Sequence, residues 1–482
     1  MCASTSTPVY RCASPRATCA SKARAGDPEL QAARRTFAPL QGEIFDHRRY
    51  EASKSVIERL LSERGYFDAR PAGQEVIVTR AERSAEVDVG WDSGERYVFG
   101  EVEVGEHQLR PGLIEKLVPW EPGEPYHQSY LLELQQTLTD LDYFAVIDIT
   151  PAPRESEGLD VPVQVSLTPA KRSIYSAGLG YGTDSGAGIQ LGFERRWVNT
   201  RGHKWRNVLD WSQRRQLLTT QYRIPAFDQF AGWYTGAFNL RREITADIDT
   251  ELIEAVVNRT GQIGLWTVSA GLHAQRERYR FGEQEEREYA TLVFPALRAQ
   301  TSRGDDPLYP TRGWSLVAEI KAGSEAIGSG TDFVQAYLQG RYVMSFGEST
   351  RLLLRAELGT TSSDSFETMP PSLRFFAGGD RSVRGYGFKE LGPRVDDVVV
   401  GGENLSVLSI EVERMFTDTW GAAVFIDAGN AFNSRGDFEN RIGVGAGVRW
   451  RSPVGPVRVD IAHGLDDPEQ SVRLHINIGP YL

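Results

Sequence analysis

Arg384 lies in a glycine-rich stretch, residues 375 to 393 (FFAGGDRSVRGYGFKELGP), where it forms an arginine-glycine-aromatic step with Gly385 and Tyr386. A guanidinium carries a permanent charge and several donors in a fixed fork, so its chemistry is the clamping of carboxylate or phosphate rather than proton transfer. Gly378, Gly379, Gly385 and Gly387 around it permit positive φ and close backbone approach. Further along, strand alternation sets Glu411 and Glu413 on the face opposite Ile410 and Val412, and Asp427 opposite Ile426. Two such carboxylates mimic an acid–base pair, but no catalytic pattern accompanies them. There is no Gly-x-Ser-x-Gly elbow, and the nearest string, GTDSG at 182 to 186, has the wrong spacing. No P-loop and no HExxH pair occur, and the seven histidines are scattered. Cys2, Cys12 and Cys19 all fall in the first twenty residues, too few and too close to build a disulfide framework or a metal site. The residues predict no enzyme, no metal and no cofactor.

The elements that must position Arg384 are strands. In 472 to 478, Val472, Leu474, Ile476 and Ile478 alternate with Arg473, His475 and Asn477; in 457 to 463, Val457, Val459 and Ile461 alternate with Arg458, Asp460 and Ala462. In 441 to 451, Ile442, Val444, Ala446, Val448 and Trp450 oppose Gly443, Gly445, Gly447, Arg449 and Arg451. A soluble sandwich must cover its apolar face with a second sheet, whereas a barrel in lipid turns that face outward and lines its lumen with charge. Segments of ten residues or more, such as GWSLVAEIKAG and TRLLLRAELGT, are long enough to cross a bilayer at a tilt. From RSIYSAGLGYG to RLHINIG they number roughly sixteen, an even count as in bacterial outer-membrane barrels. His463 and His475 are then expected on or near the inner face, as solvated lumen residues. A mean hydropathy of -0.37 fits, because such strands hide their hydrophobicity in every second residue. A net charge of -11 and a pI near 5.4 speak against a nucleic-acid partner.

Before residue 171 the pattern is α/β. In RRYEASKSVIERLLSERGYF, Val56, Ile57, Leu60 and Leu61 form an apolar face and Gly65 supplies the stop, with strands expected at 74 to 80 and 84 to 94. A second unit follows with the same grammar, its helix striped by Leu131, Leu134, Leu138 and Leu141; GYF at 65 to 67 and DYF at 142 to 144 mark the repeat. The expected division is an unstructured or truncated segment 1–40, modules at 41–96 and 97–170, and a barrel 171–482 with an internal loop 365–400.

These units resemble the polypeptide-transport-associated (POTRA) modules that precede outer-membrane assembly barrels, and the barrel resembles the bacterial surface antigen barrel of that superfamily. Five pieces in order carry the likeness: PLYPTRGWSL (307 to 316), the loop at 375 to 393, GGENLSVLSIEVE (401 to 413), VFIDAGNAF (424 to 432) and GVRWRSPVGPVRVDIAHGL (447 to 465). The resemblance implies that Arg384 sits on a folded-in loop and pairs with Glu411 and Asp427 of the inner wall. Within the superfamily the SPVGPVR turn and the ending IGPYL look like the TamA-like branch. That branch carries three modules and an export signal. Two modules are found here, and residues 1 to 27 lack the apolar run of a signal peptide, so an incomplete or misassigned start is expected.

Closing such a barrel requires its first and last strands to pair. The first carries Gly178, Gly180 and Gly182, and the last, with Ile476 and Ile478, runs into Gly479 and Pro480. Glycine weakens a strand and proline cannot donate to a ladder, so a short, easily opened seam is expected; relief of crowding and a simple chain end explain the same residues equally well. The modules offer sheet edges for β-augmentation or serve only as spacers. The resemblance implies outer-membrane lipid, unfolded outer-membrane clients and a TamB-type partner anchored in the inner membrane. It implies assembly or translocation of β-barrel and autotransporter-type proteins, with phospholipid transport or a two-partner secretion pore as alternatives.

Overall fold

A computed structural model of the chain describes residues 11–20 (backbone only), 28–226, 232–453, 455–467 and 471–478. They divide into two units, 1–172 and 173–482.

The first unit contains two modules of one topology. In each, an opening strand pairs parallel with the third strand, which the second flanks on the other side: Arg11–Ala20, Ser84–Asp92 and Arg70–Thr79 in one, Val98–Val104, Asp160–Pro169 and Phe144–Pro151 in the other. Helix His47–Glu63 starts where the Asp46 carboxylate accepts the Arg48 N–H at 2.8 Å and covers the first sheet; Gln128–Asp140 covers the second. The buried face of the first helix is Tyr50, Ile57 and Leu61, while Val56, expected there, is exposed, because the i, i+7, i+11 stripe faces the sheet. In the second helix Leu131, Leu134 and Leu138 are buried as the stripe requires. Residues 28–40 are not unstructured: helix Pro28–Arg35 brings Leu30 and Ala33 against the first core, and Phe37 is buried in it beside Tyr50 and Trp91. The first module therefore starts well before residue 41. Residues 1–10 and 21–27 lie outside the described set.

Sixteen antiparallel strands make the second unit, from Ser173–Gly182 to Val472–Ile478, each bonded to its neighbour in sequence order. The sheet is inside-out relative to a soluble protein. Along Asn404–Met415, Leu408, Ile410 and Val412 are 49%, 39% and 42% exposed, whereas Glu411 and Glu413 are 3% and 1% exposed. That inversion is what a hydrocarbon surround and a polar lumen demand. Among the described residues no helix is long and apolar enough to cross a membrane.

Between strands Thr350–Ser363 and Asn404–Met415, residues 364–403 fold back into the lumen. Ala377, Val383, Tyr386 and Leu391 pack there with Leu405, Val407 and Ala431 of the wall, and Met369 and Leu373 with Leu292, Phe294 and Phe333. Burying this much apolar surface, at about 25 cal/mol per Å², fixes the loop before any charge is considered.

Candidate functional site: the internal loop and the seam

Arg384 is 6% exposed and fully engaged. Its Nε and Nη2 donate to the two oxygens of Asp427 at 2.7 and 3.0 Å, and its backbone N–H adds a third bond to Asp427 at 3.0 Å. Nη1 reaches Glu411 at 2.7 Å and Asp460 at 3.0 Å, and the guanidinium lies 3.3 Å from the centre of the Phe425 ring. Such a fork-to-carboxylate pairing fixes orientation as well as position. Burial opposes the charge, and Asp427, Glu411 and Asp460 more than offset that, so the guanidinium is held more firmly protonated than an ordinary arginine.

The carboxylates are shared. Arg449 donates to Glu411 through Nη2 at 2.6 Å and Nε at 3.1 Å, and also to Asp460. Arg351 takes Glu413 with 2.9 Å to each oxygen, and its Nη1 donates to the Pro310 carbonyl. Tyr309 lies between Arg351 and Arg451, whose guanidinium carbons sit 3.3 and 3.5 Å from its ring centre. A chain of buried charge thus runs from the loop tip to the turn at 305–312.

Two wall glycines make room for the tip. A Cβ on Gly443 would come within 1.8 Å of the Arg384 carbonyl oxygen, and one on Gly464 within 2.7 Å of the Tyr386 ring. Gly385 has φ +95° and lies against the backbone of 463–464. Gly378 and Gly379 also have positive φ, as expected; Gly387 does not, its closeness to Glu390 and Arg473 being the constraint.

Strands Ser173–Gly182 and Val472–Ile478 end the sheet and share no ladder among the described residues. The Ile476 N–H donates to Thr183 Oγ1, just past the first strand, at 3.2 Å. Gly178, Gly180 and Gly182 pair with Gln190, Gly188 and Gly186 of the second strand. A Cβ on Gly180 would meet nothing within 4 Å and one on Gly178 only Gln190 at 4.0 Å, so crowding does not require these two, whereas one on Gly182 would meet Ser185 Oγ at 3.1 Å. They and Ile476 and Ile478 border a lumen cavity of about 760 Å³ that Asp184, Arg214, Asp380 and Lys389 also line.

The structure therefore brings Arg384, Gly385, Tyr386, Glu411 and Asp427 together at one place, and Gly178, Gly180, Gly182, Ile476 and Ile478 at another. Gly479 and Pro480 lie outside the described residues. Asp460, Arg449, Ser409 and the two wall glycines belong to the tip site and were not singled out in the sequence, although the inward parity of Arg449 and Asp460 was readable there. Two expectations are corrected. His463 lies on the outward parity with Val459 and Ile461, since its neighbours Ala462 and Gly464 are the buried ones. His475 is inward but 4% exposed and hydrogen-bonded, not solvated.

The model of the Omp85 superfamily domain matches residues 175–480, the barrel just described. This chain belongs to the Omp85 superfamily. Among curated relatives it is similar to the outer membrane protein assembly factor BamA of Nitratidesulfovibrio vulgaris, 23% identical over 431 residues, covering 84% of this chain and 54% of the relative. The BamA of Neisseria meningitidis is 25% identical over 211 residues, 36% of this chain and 26% of that protein. The chain spans about half the length of the first of these and a quarter of the second. A crystal structure of BamA from Haemophilus ducreyi lacking POTRA domains 1-3 superposes over 98% of this chain and 100% of its own, with a TM-score of 0.81 and 16% identity. CdiB from Acinetobacter baumannii covers 98% of this chain and 90% of its own, with a TM-score of 0.54 at 12% identity. At these identities the structural likeness is one of fold. The superfamily places the barrel in the bacterial outer membrane, preceded by α/β modules of the POTRA type.

Proposed function

We propose that this protein helps insert or secrete β-barrel and autotransporter-type proteins at the outer membrane through a gated seam between its first and last strands. The observation that carries the reading is that, among the described residues, Ser173–Gly182 and Val472–Ile478 share no ladder although every other neighbouring pair of the sheet does. Unpaired strand edges template the addition of another strand. A client strand added there exchanges backbone bonds with the barrel and needs no external energy source. In this reading Arg384, Gly385, Tyr386, Glu411 and Asp427 anchor the internal loop, and Gly178, Gly180, Gly182, Ile476, Ile478, Gly479 and Pro480 form the gate. The modules within 1–170 are the periplasmic docking arm, and a TamB-type protein anchored in the inner membrane is the partner.

Phospholipid transport is the second reading, favoured by a cavity of about 760 Å³ that borders the seam, where a lipid enters from the side. A two-partner secretion pore is the third, consistent with the shared fold of CdiB. Purified protein in liposomes, offered an unfolded outer-membrane barrel client and separately a fluorescent phospholipid, distinguishes them. Faster protease protection of the client is expected. Lipid transfer without any effect on the client selects the second reading, and activity toward one dedicated exported client alone selects the third.

A further inference from the structure

His475 faces the lumen from the last strand, opposite Asp460 in the ladder, and its ring is used on both sides. Nε2 accepts the Gly385 N–H at 3.0 Å, so it carries no proton; Nδ1, 2.7 Å from Asp380 Oδ1, is the donor. The imidazole therefore holds the loop on both sides of Arg384, at residues 380 and 385. Asp380 continues the connection. Its Oδ1 also accepts the Thr183 hydroxyl at 2.7 Å, and its N–H donates to Asp184 Oδ2 at 2.9 Å. Thr183 Oγ1 in turn accepts the Ile476 N–H at 3.2 Å, next to His475. The bonds form a ring through three segments distant in the chain: the first hairpin turn at 183–184, the loop at 380–385 and the last strand at 475–476.

We propose that His475 is the positioning residue that makes docking of the internal loop and closing of the seam one event. Among the described residues the two end strands share no ladder, so at the Thr183 end the seam is crossed by the single Ile476 N–H to Thr183 Oγ1 bond and, through the loop, by the Thr183 hydroxyl, Asp380 and His475. Withdrawing the loop removes Asp380 from both sides at once. Parting the strands pulls His475 and Thr183 away from their common partner. The three acid and imidazole groups, Asp184, Asp380 and His475, lie close together, but both His475 ring nitrogens are already engaged, by the Gly385 N–H and by Asp380. Neutral, directional bonding of this kind is specific to a side chain that both donates and accepts.

The inference rests on the gated-seam reading but is tested by conformation rather than by insertion. Seam closing is read as the disulfide rate between Cys introduced at Gly180 and Ile478 in a background lacking Cys2, Cys12 and Cys19. Loop docking is read as the rate of tryptic cleavage at the exposed Arg381. His475→Leu should slow the disulfide and speed the cleavage about tenfold each, since two buried hydrogen bonds are lost. His475→Gln, which keeps a donor and an acceptor, should restore both to within about twofold. Arg384→Ala should slow the seam disulfide too, although its side chain touches neither end strand. Heat-modifiable mobility of the folded barrel reports folding; if His475→Leu does not fold, Thr183→Val and Arg384→Ala carry the test alone. A variant that frees the loop while leaving the seam rate unchanged, or the converse, overturns the coupling. A locked seam that still inserts clients would sink the gated reading and leave this inference standing.

Discussion

Arg384 and Asp427 are joined by three hydrogen bonds, two from the guanidinium and one from the backbone N–H, across 43 residues of sequence. The pair is buried on both sides. Removing one member of such a pair leaves a charge without compensation and typically costs about 3–5 kcal/mol. Arg384→Ala should therefore strand the Asp427 carboxylate, while Glu411 keeps Arg449, and release the loop. Arg384→Lys should rescue little, because an ammonium cannot reproduce the fork. Loss of tryptic resistance at 381–394 with the barrel still heat-modifiable checks both.

Wall glycines set the seat of the tip, so side chains added there should act on the loop without touching its charges. Gly443→Ala should displace the Arg384 carbonyl, since the new Cβ has 1.8 Å of room. Gly445→Ala is the less informative neighbour, as it strikes Phe425 and the adjoining strand instead. Protease resistance of the loop in Gly443→Ala, equal to that of the parent, would contradict the packing account.

Seam glycines should respond in the opposite way. Nothing blocks a side chain at Gly180, and strands gain about 1 kcal/mol from a β-branched residue in place of glycine. Gly178→Val with Gly180→Val should stiffen the edge and slow client insertion several-fold while raising the unfolding midpoint. Unchanged insertion with a stiffer edge would mean that the first strand does not move during the reaction.

The joint between the two modules rests on Gly65, with φ +82° and its Cβ direction 2.7 Å from the Tyr126 Cβ. Arg96 ties the same place together, donating from Nε to the Arg64 carbonyl at 2.9 Å and from Nη2 to the Tyr126 carbonyl at 3.0 Å. Gly65→Ala should cost about 1–2 kcal/mol from the backbone conformation alone, more with the contact. Urea unfolding of the whole chain, followed by near-ultraviolet circular dichroism, should show the module transition shift and the barrel transition stay.

Asp184 supplies a pH dependence. It lies in the turn beyond the first strand, facing Asp380 of the loop, His475 of the last strand and Arg214 of the turn at 213–214; burial, then the Asp380 charge, push its carboxyl up to about 6. A value raised on folding means stability that is present below the ordinary aspartate range and lost as pH rises through about 6. The Asp184 contribution to the loop and seam should fall across about pH 4 to 6. Asp184→Asn should remove the slope and gain on the order of 1 kcal/mol at pH 7.5, after allowance for partial solvent screening. Equal pH slopes in parent and variant, measured by thermal unfolding, would assign the dependence elsewhere.

Residues that alternate strictly declared themselves in the sequence. The period of two put Glu411, Glu413 and Asp427 on one face, and a charge on the inner wall has few partners other than an inward loop. Strict parity also carries His463 outward with Val457, Val459 and Ile461, opposite the expectation that it lines the lumen; the inward Ala462 and Gly464 beside it carry no polarity to mark their face. Long-range closures were not readable, since Gly385 meets His475 across 90 residues through a backbone donor that no side-chain pattern announces. Helix Pro28–Arg35 is short and owes its place to Phe37 in the first core, a tertiary effect. Strand Arg11–Ala20 lacks any apolar alternation and is held by parallel backbone pairing to Ser84–Asp92.

The most direct measurement is client insertion by protein whose seam is locked by a disulfide, with Cys pairs placed at Gly178 or Gly180 and Ile476 or Ile478. Insertion should stop in the oxidised protein and return on reduction, with the barrel folded throughout. Normal insertion through a quantitatively locked seam would contradict the gate and leave a pore, or a platform for a lipid-carrying partner.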